Sequence, residues 1–147
     1  MSTSLPSLTT RTVTVPVEFF DGLRRSTQRA HPAIPVYAVR DAGYAAGQAL
    51  FGHFSAWLAD RREHGPDILL DSRFPMVLRE YFFEIGWGLV RLSSLSEAVM
   101  VIDANNWGEA AAAANGCPVS TGLFAGFFGR LADAPLSVLE VTPDSAA

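Results

Sequence analysis

The stretch Val36 to Arg62, VYAVRDAGYAAGQALFGHFSAWLADRR, decides the fold. Tyr37, Tyr44, Phe51 and Leu58 recur every seven residues, and Leu50, Phe54 and Trp57 widen that stripe beyond one ordinary helical face. Only Arg40, Asp41, Gln48, His53 and Ser55 are polar before Asp60. The spacing predicts one long central helix, buried on most sides. Gly43 and Gly47 fall one turn apart within it, with Gly52 close by. A helical glycine costs about 1 kcal/mol against alanine. Glycines so placed point to the close approach of another backbone or of a ligand.

Working outward, His31-Pro32 and Ile34-Pro35 separate this helix from an amphipathic one over Glu18 to Ala30, because proline does not continue a helix. Thr12 to Val17 alternates in β-branched residues and reads as a short strand. On the C-terminal side, Arg61 to Asp71 reads as a charged loop. Ser72 and Pro75 open a helix over 74–84, which Gly86 and Gly88 end. Leu89 to Leu95 and Ala98 to Ala104 read as a hairpin turning at Ser96-Glu97. A short helix is expected within Asn105 to Gly116. Ser120 or Thr121 then caps a helix to about Leu131, Ala132 to Pro135 turns the chain, and Leu136 to Thr142 reads as a final strand. Neither an internal repeat nor a linker is visible. The reading is an α/β (α+β) fold, helices packed on an antiparallel sheet, with a flexible segment over 1–12 and one domain over 13–143.

Composition narrows the function. The chain has 147 residues, 49% apolar and 18% charged, with a net charge of −4. A charged share near 25% is usual, so either the core is large for the domain or apolar surface is kept for a ligand or a partner. The net charge argues against nucleic acid. No run approaches the roughly 20 apolar residues of a membrane span, and the N-terminus lacks the pattern of a signal peptide. The single cysteine, Cys117, excludes an internal disulfide. These features point to a cytoplasmic protein.

Four stretches carry a resemblance over Tyr44 to Val141. They are Gly43-Tyr44-Ala45-Ala46-Gly47, Glu84-Ile85-Gly86-Trp87-Gly88, the run Cys117 to Gly126 (CPVSTGLFAG) and the run Ala134 to Val141 (APLSVLEV). Together they resemble the 4-vinyl-reductase domain family. That family is related in fold to subunits of the TRAPP trafficking complex and to sensor domains of aromatic-responsive bacterial regulators. The resemblance implies a TRAPP-like fold that binds a hydrophobic small molecule (a tetrapyrrole, a fatty acid or a hydrocarbon) as carrier, sensor or assembly factor. It also implies homodimers, and a link to bacteriochlorophyll synthesis through the role proposed for the family.

The resemblance also marks a departure. The sensor domains hold zinc with a cysteine, a glutamate 23 residues on and two further cysteines in a tail. Cys117 and Glu140 have that separation (140 − 117 = 23), but Pro143 stands where the next cysteine would fall. A structural zinc site takes four ligands, so no metal is expected. Cys117 is then an inert buried thiol, or a reactive one activated by a helix N-terminus.

The candidate ligand-binding residues are Tyr44, Gly47, Phe51, Trp87, Leu123, Phe124 and Phe127. They surround a cavity expected between the long helix and the glycine-rich helix holding Gly122, Gly126 and Gly129. The alternative is that the two helices pack tightly and these residues are core. Trp57 and Trp107 read as core or as rings against a flat ligand, Trp107 within an expected loop, and His53 as a satisfied histidine or an axial ligand of a tetrapyrrole. No nucleophile–base set, phosphate loop or dinucleotide motif is present. The chain is therefore read as a binder rather than an enzyme, with no cofactor. The alternative is a dimeric protein-interaction module without ligand, similar to TRAPP subunits.

Overall fold

The computed structural model describes residues 12–30, 35–60, 73–96, 98–112 and 116–141. Among them the order is α1 (Glu18–Ala30), α2 (Pro35–Asp60), α3 (Phe74–Glu84), β1 (Leu89–Ser94), β2 (Met100–Asn105), α4 (Gly108–Ala112) and α5 (Pro118–Ala132). This is a mixed α+β fold of helices packed on a two-stranded antiparallel sheet. No described helix is long and apolar enough to cross a membrane. The flexible segment expected over 1–12 and the loop over 61–71 fall almost wholly outside the described residues.

The organising contact joins α2 to α5, and glycine makes it. A Cβ on Gly43 would meet the Val119 carbonyl and the Leu123 nitrogen, the latter at 3.2 Å; one on Gly47 would meet the Leu123 carbonyl and, at 2.9 Å, the Phe127 nitrogen. In return, Gly122 faces the Arg40 carbonyl and the Tyr44 nitrogen, and Gly126 faces the Tyr44 carbonyl and the Gln48 nitrogen. Four residues forward on one helix match four forward on the other, so α2 and α5 run parallel. Backbone lies on backbone, with carbonyl oxygens directed at glycine Cα atoms, a geometry that Cα–H···O contacts support.

Two expectations fall here. The glycine patches face each other and close, so the cavity expected between them is filled by main chain. Nor is α2 buried on most sides. Its buried described residues are Val39, Gly43, Gly47, Leu50 and Phe54, whereas Tyr37, Ala38, Ala42, Tyr44, Ala45, Ala46 and Ala49 are exposed. Much of the apolar count of α2 is alanine, whose small area drives little burial.

The sheet pairs Leu89 with Asn105 through Ser94 with Met100. Val90 and Leu92, opposite Ala104 and Ile102, turn toward the core, while Arg91 opposite Asp103 faces out. The connection is longer than the expected two residues: Leu95 N–H and Ser96 N–H both reach the Val99 carbonyl, at 3.0 and 3.2 Å.

The strands expected over 12–17 and 136–142 are not formed at the described positions, 12–17 and 136–141. β-propensity reports fit to a pleated, half-buried surface, and among the described residues neither segment has a neighbouring strand to supply one. Val13, Val15 and Val17 stay exposed. In the later segment Val138 packs against the core while Leu139 and Val141 face out.

The core is a continuous aromatic cluster. Phe54, Tyr81, Phe82 and Phe127 are fully buried. Phe127 lies 5.4 Å from both Phe54 and Phe82, and Phe54 lies 5.0 Å from Tyr81. Most pairs are tilted or edge-to-face, the arrangement aromatic quadrupoles favour.

Candidate ligand-binding site

The cluster reaches the surface at Trp87. Two glycines fix the turn that carries it: Gly86 has φ +88° and Gly88 φ +138°, backbone angles that residues with a Cβ rarely adopt. A side chain at Gly88 would also strike the Asn105 and Asn106 carbonyls, at 2.9 and 2.6 Å. Trp87 N–H donates to the Phe82 carbonyl at 3.0 Å, and the Trp87 carbonyl accepts from Gly108 N–H at 2.8 Å. The indole is thus held from both sides of the main chain and is half-buried.

One face of Trp87 stacks on Trp107, with centroids 5.2 Å apart and planes 29° apart. Trp107 in turn lies 5.3 Å from Phe124, at 35°. Phe20 of α1 lies 5.3 Å from Trp87, tilted 47°. The indole N–H of Trp107 donates to Ser120 Oγ at 2.6 Å, which fixes the buried ring by its polar end.

The named site residues separate into four places. Trp87 and Phe124 come together through Trp107. Phe51, Leu123 and Phe127 belong to the central cluster, Phe51 meeting Phe127 edge-on at 5.7 Å and carrying the Arg130 guanidinium 5.5 Å from its centroid. Gly47 lies within the α2–α5 seam. Tyr44 sits on the outer side of α2, where its hydroxyl accepts from Gln48 Nε2 at 3.3 Å. Of its two readings Trp107 takes the core one, at the centre of the stack. The apolar spacing of α1 includes Phe20 but does not place it on Trp87, and no sequence signal marks Phe82. Two asparagines and a glycine around Trp107 gave a loop signal that hid its role.

A polar cluster closes the start of α5. The helix begins at Pro118 with Cys117 as its cap residue, earlier than the expected Ser120 or Thr121. Proline at the first helical position was the available signal. The capping acceptor comes from α4 instead. Glu109, 4% exposed, accepts from Val119 N–H at 3.0 Å, Ser120 N–H at 2.7 Å and the Ser120 hydroxyl at 2.5 Å. Burial pushes its carboxyl above the ordinary value, against the pull of the Ser120 and Val119 hydrogen bonds. No sequence pattern links Glu109 to a helix starting nine residues later.

Cys117 and Glu140 do meet: Cys117 N–H donates to Glu140 Oε2 at 2.8 Å. Burial, then the charges of Glu109 and Glu140, push the thiol up to about 12. Burial above all disfavours the thiolate, which favours the inert reading of Cys117 over the reactive one. No group of three or more His, Cys, Asp or Glu suited to a metal occurs among the described residues. His53 Nδ1 lies 2.6 Å from the hydroxyl of Tyr81, which also points at the Leu50 carbonyl. Burial raises the Tyr81 phenol above its usual value. His31 and His64 lie outside the described residues.

Comparison with protein-family models, with curated proteins and with solved structures finds no match to this chain.

Proposed function

We propose that the domain binds a flat apolar or aromatic molecule on the Trp87–Trp107 stack, as a carrier, sensor or assembly factor rather than as an enzyme. The observation that carries this reading is that Trp87, alone of the ring stack running from Phe124 through Trp107, stands half-buried on a rigid glycine turn. An aromatic ligand gains there by stacking and by loss of water from its faces. The resemblance to 4-vinyl-reductase domains supports the same class of ligand: a tetrapyrrole, a fatty acid or a hydrocarbon. A link to bacteriochlorophyll synthesis follows from it only if the ligand is a tetrapyrrole. The titratable groups near the stack argue for binding over catalysis, since Glu109 and Ser120 are engaged in capping and the Cys117 thiol stays protonated.

The test is native mass spectrometry of the purified chain, followed by titration with an apolar aromatic probe read through Trp emission. Binding that Trp87→Ala abolishes supports the reading. A chain that takes up no apolar compound, alone or in titration, overturns it.

A second reading has its own observation. The exposed alanines Ala38, Ala42, Ala45 and Ala49 form an uncharged stripe along α2, and Tyr37 and Tyr44 stand exposed on another side. That is the composition of a surface that another helix covers, and it favours a dimeric interaction module without ligand, similar to TRAPP subunits. A ligand-free homodimer in the same mass spectra is the result expected of it.

A further inference from the structure

Helix α1 differs from α2, α3 and α5 in how it is held. None of its described side chains is buried: Phe20 and Leu23 are half-buried, and Phe19 is 52% exposed. By contrast α3 buries Phe74, Val77, Leu78, Tyr81 and Phe82. The ion pairs of Asp21 with Arg24 and Arg25 close within α1 itself, so they persist whether or not the helix rests on the body. A segment with few buried apolar contacts opens locally at low free energy. α1 is the longest such segment among the described helices.

Its main aromatic contact with the body is Phe20 on Trp87. The rings Phe20, Trp87, Trp107 and Phe124 follow one another in contact, the two indoles stacked and the outer pairs tilted; Trp107 and Phe124 are buried, and the outermost ring belongs to α1. Beside Trp87, Gly86 is exposed, and a Cβ there would meet nothing within 4 Å.

We propose that α1 is a lid on the Trp87–Trp107 site and that Phe20 is the stand-in a flat aromatic ligand displaces. The proposal rests on the binding reading above and names the element that controls it. The chain's own ring keeps the indole face dry when no ligand is present, and the ligand must out-compete it. Affinity is thus set by the difference between ligand and Phe20 on the same surface.

The experiment uses the full chain and two readouts. Hydrogen exchange follows α1 without any ligand, and titration with 1-aminoanthracene, an uncharged flat fluorophore, follows the site. Amides of α1 are expected to exchange roughly 100-fold faster than those of α3 and α5. Phe20→Ala and Phe20→Leu are each expected to tighten the probe by about five-fold, the worth of one aromatic pair, while Phe20→Trp does not. Phe20→Leu keeps apolar bulk, so it remains informative if the alanine variant melts early. Exchange of α1 as slow as that of α5 overturns the lid whatever the probe does. Probe affinity unchanged by both variants overturns the stand-in. Fast α1 exchange with no probe bound by any variant overturns the binding reading, and the lid with it, while leaving α1 a loosely held helix.

Discussion

Alanine at Gly47 and alanine at Gly52 should act in opposite directions, although both residues lie in α2. Helix propensity alone favours each change by about 1 kcal/mol. At Gly52 a Cβ meets nothing within 4 Å, so that gain should appear nearly whole. At Gly47 the Cβ would overlap the Leu123 carbonyl and sit 2.9 Å from the Phe127 nitrogen. These are main-chain atoms of a packed helix and cannot rotate aside. α5 must move off α2, and since its neighbours Phe124, Phe127 and Phe128 are buried, that motion disturbs the core. Overpacking of this kind costs roughly 1–3 kcal/mol. Net of propensity, Gly47→Ala should lose up to about 2 kcal/mol while Gly52→Ala gains about 1. For a domain of this length each kcal/mol moves Tm by about 2–4 °C. Thermal melts followed by circular dichroism should therefore place the Gly52→Ala variant above wild type and the Gly47→Ala variant at or below it, about 2–12 °C apart. Gly126→Leu, which puts a larger group against the Tyr44 carbonyl, should fall further still. Equal melting temperatures for the Gly47 and Gly52 variants would refute the close seam.

Three further outcomes follow. Glu109 has a folded carboxyl raised above 4.5 by burial, so the native state holds a proton that the unfolded chain has lost; stability should fall as pH rises through that window, and urea titrations of Glu109→Gln should lack this slope. The Cys117 thiol, pushed up to about 12 from 9.0, should alkylate slowly at pH 8 in the native protein and readily in urea, and should draw stability down as pH rises above 9; native alkylation as fast as in urea would contradict it. The chain should purify without stoichiometric zinc, because Cys117 and Glu140 supply two ligands where a structural site takes four, and elemental analysis finding one zinc per chain would sink this.

Much of the fold was legible because its signals are local. The helix over Glu18 to Ala30, the long helix opening at the second of the two prolines, the helix over 74–84 and the hairpin are set by periodicity, proline and glycine, all readable within a short window. What misled was what periodicity leaves out. Val13, Val15 and Val17 alternate like a strand, but a strand exists only against a neighbour. The alanines of α2 count as apolar, yet carry too little area to be drawn inward. Within the site, Trp87 was legible from its flanking glycines. Phe20 was not, because its partner lies across the fold. The glycines were correctly singled out, but whether two bare patches meet or stand apart depends on the relative placement of two helices far apart in sequence.

The seam between α2 and α5 is nearly the same seen from either side. Gly43-Tyr44-Ala45-Ala46-Gly47 and Gly122-Leu123-Phe124-Ala125-Gly126 repeat glycine, alanine and glycine in step, and each glycine rests on the carbonyl three residues before its counterpart. An interface with such internal two-fold character does not by its backbone distinguish self from other. α2 of one chain presents to α2 of another almost what α5 presents to it. Correct pairing is then chosen by what lies beside the glycines: Phe127 against Phe51 and Phe54, and the Arg130 guanidinium reaching the Gln48 carbonyl at 2.9 Å. It is chosen as well by the covalent tether, which keeps α5 at high local concentration around its own α2. Lengthening the connection between them, or opening the domain at high protein concentration, would let strangers compete for the same groove. The glycines that bring the two backbones together thus leave the choice of partner to the side chains beside them.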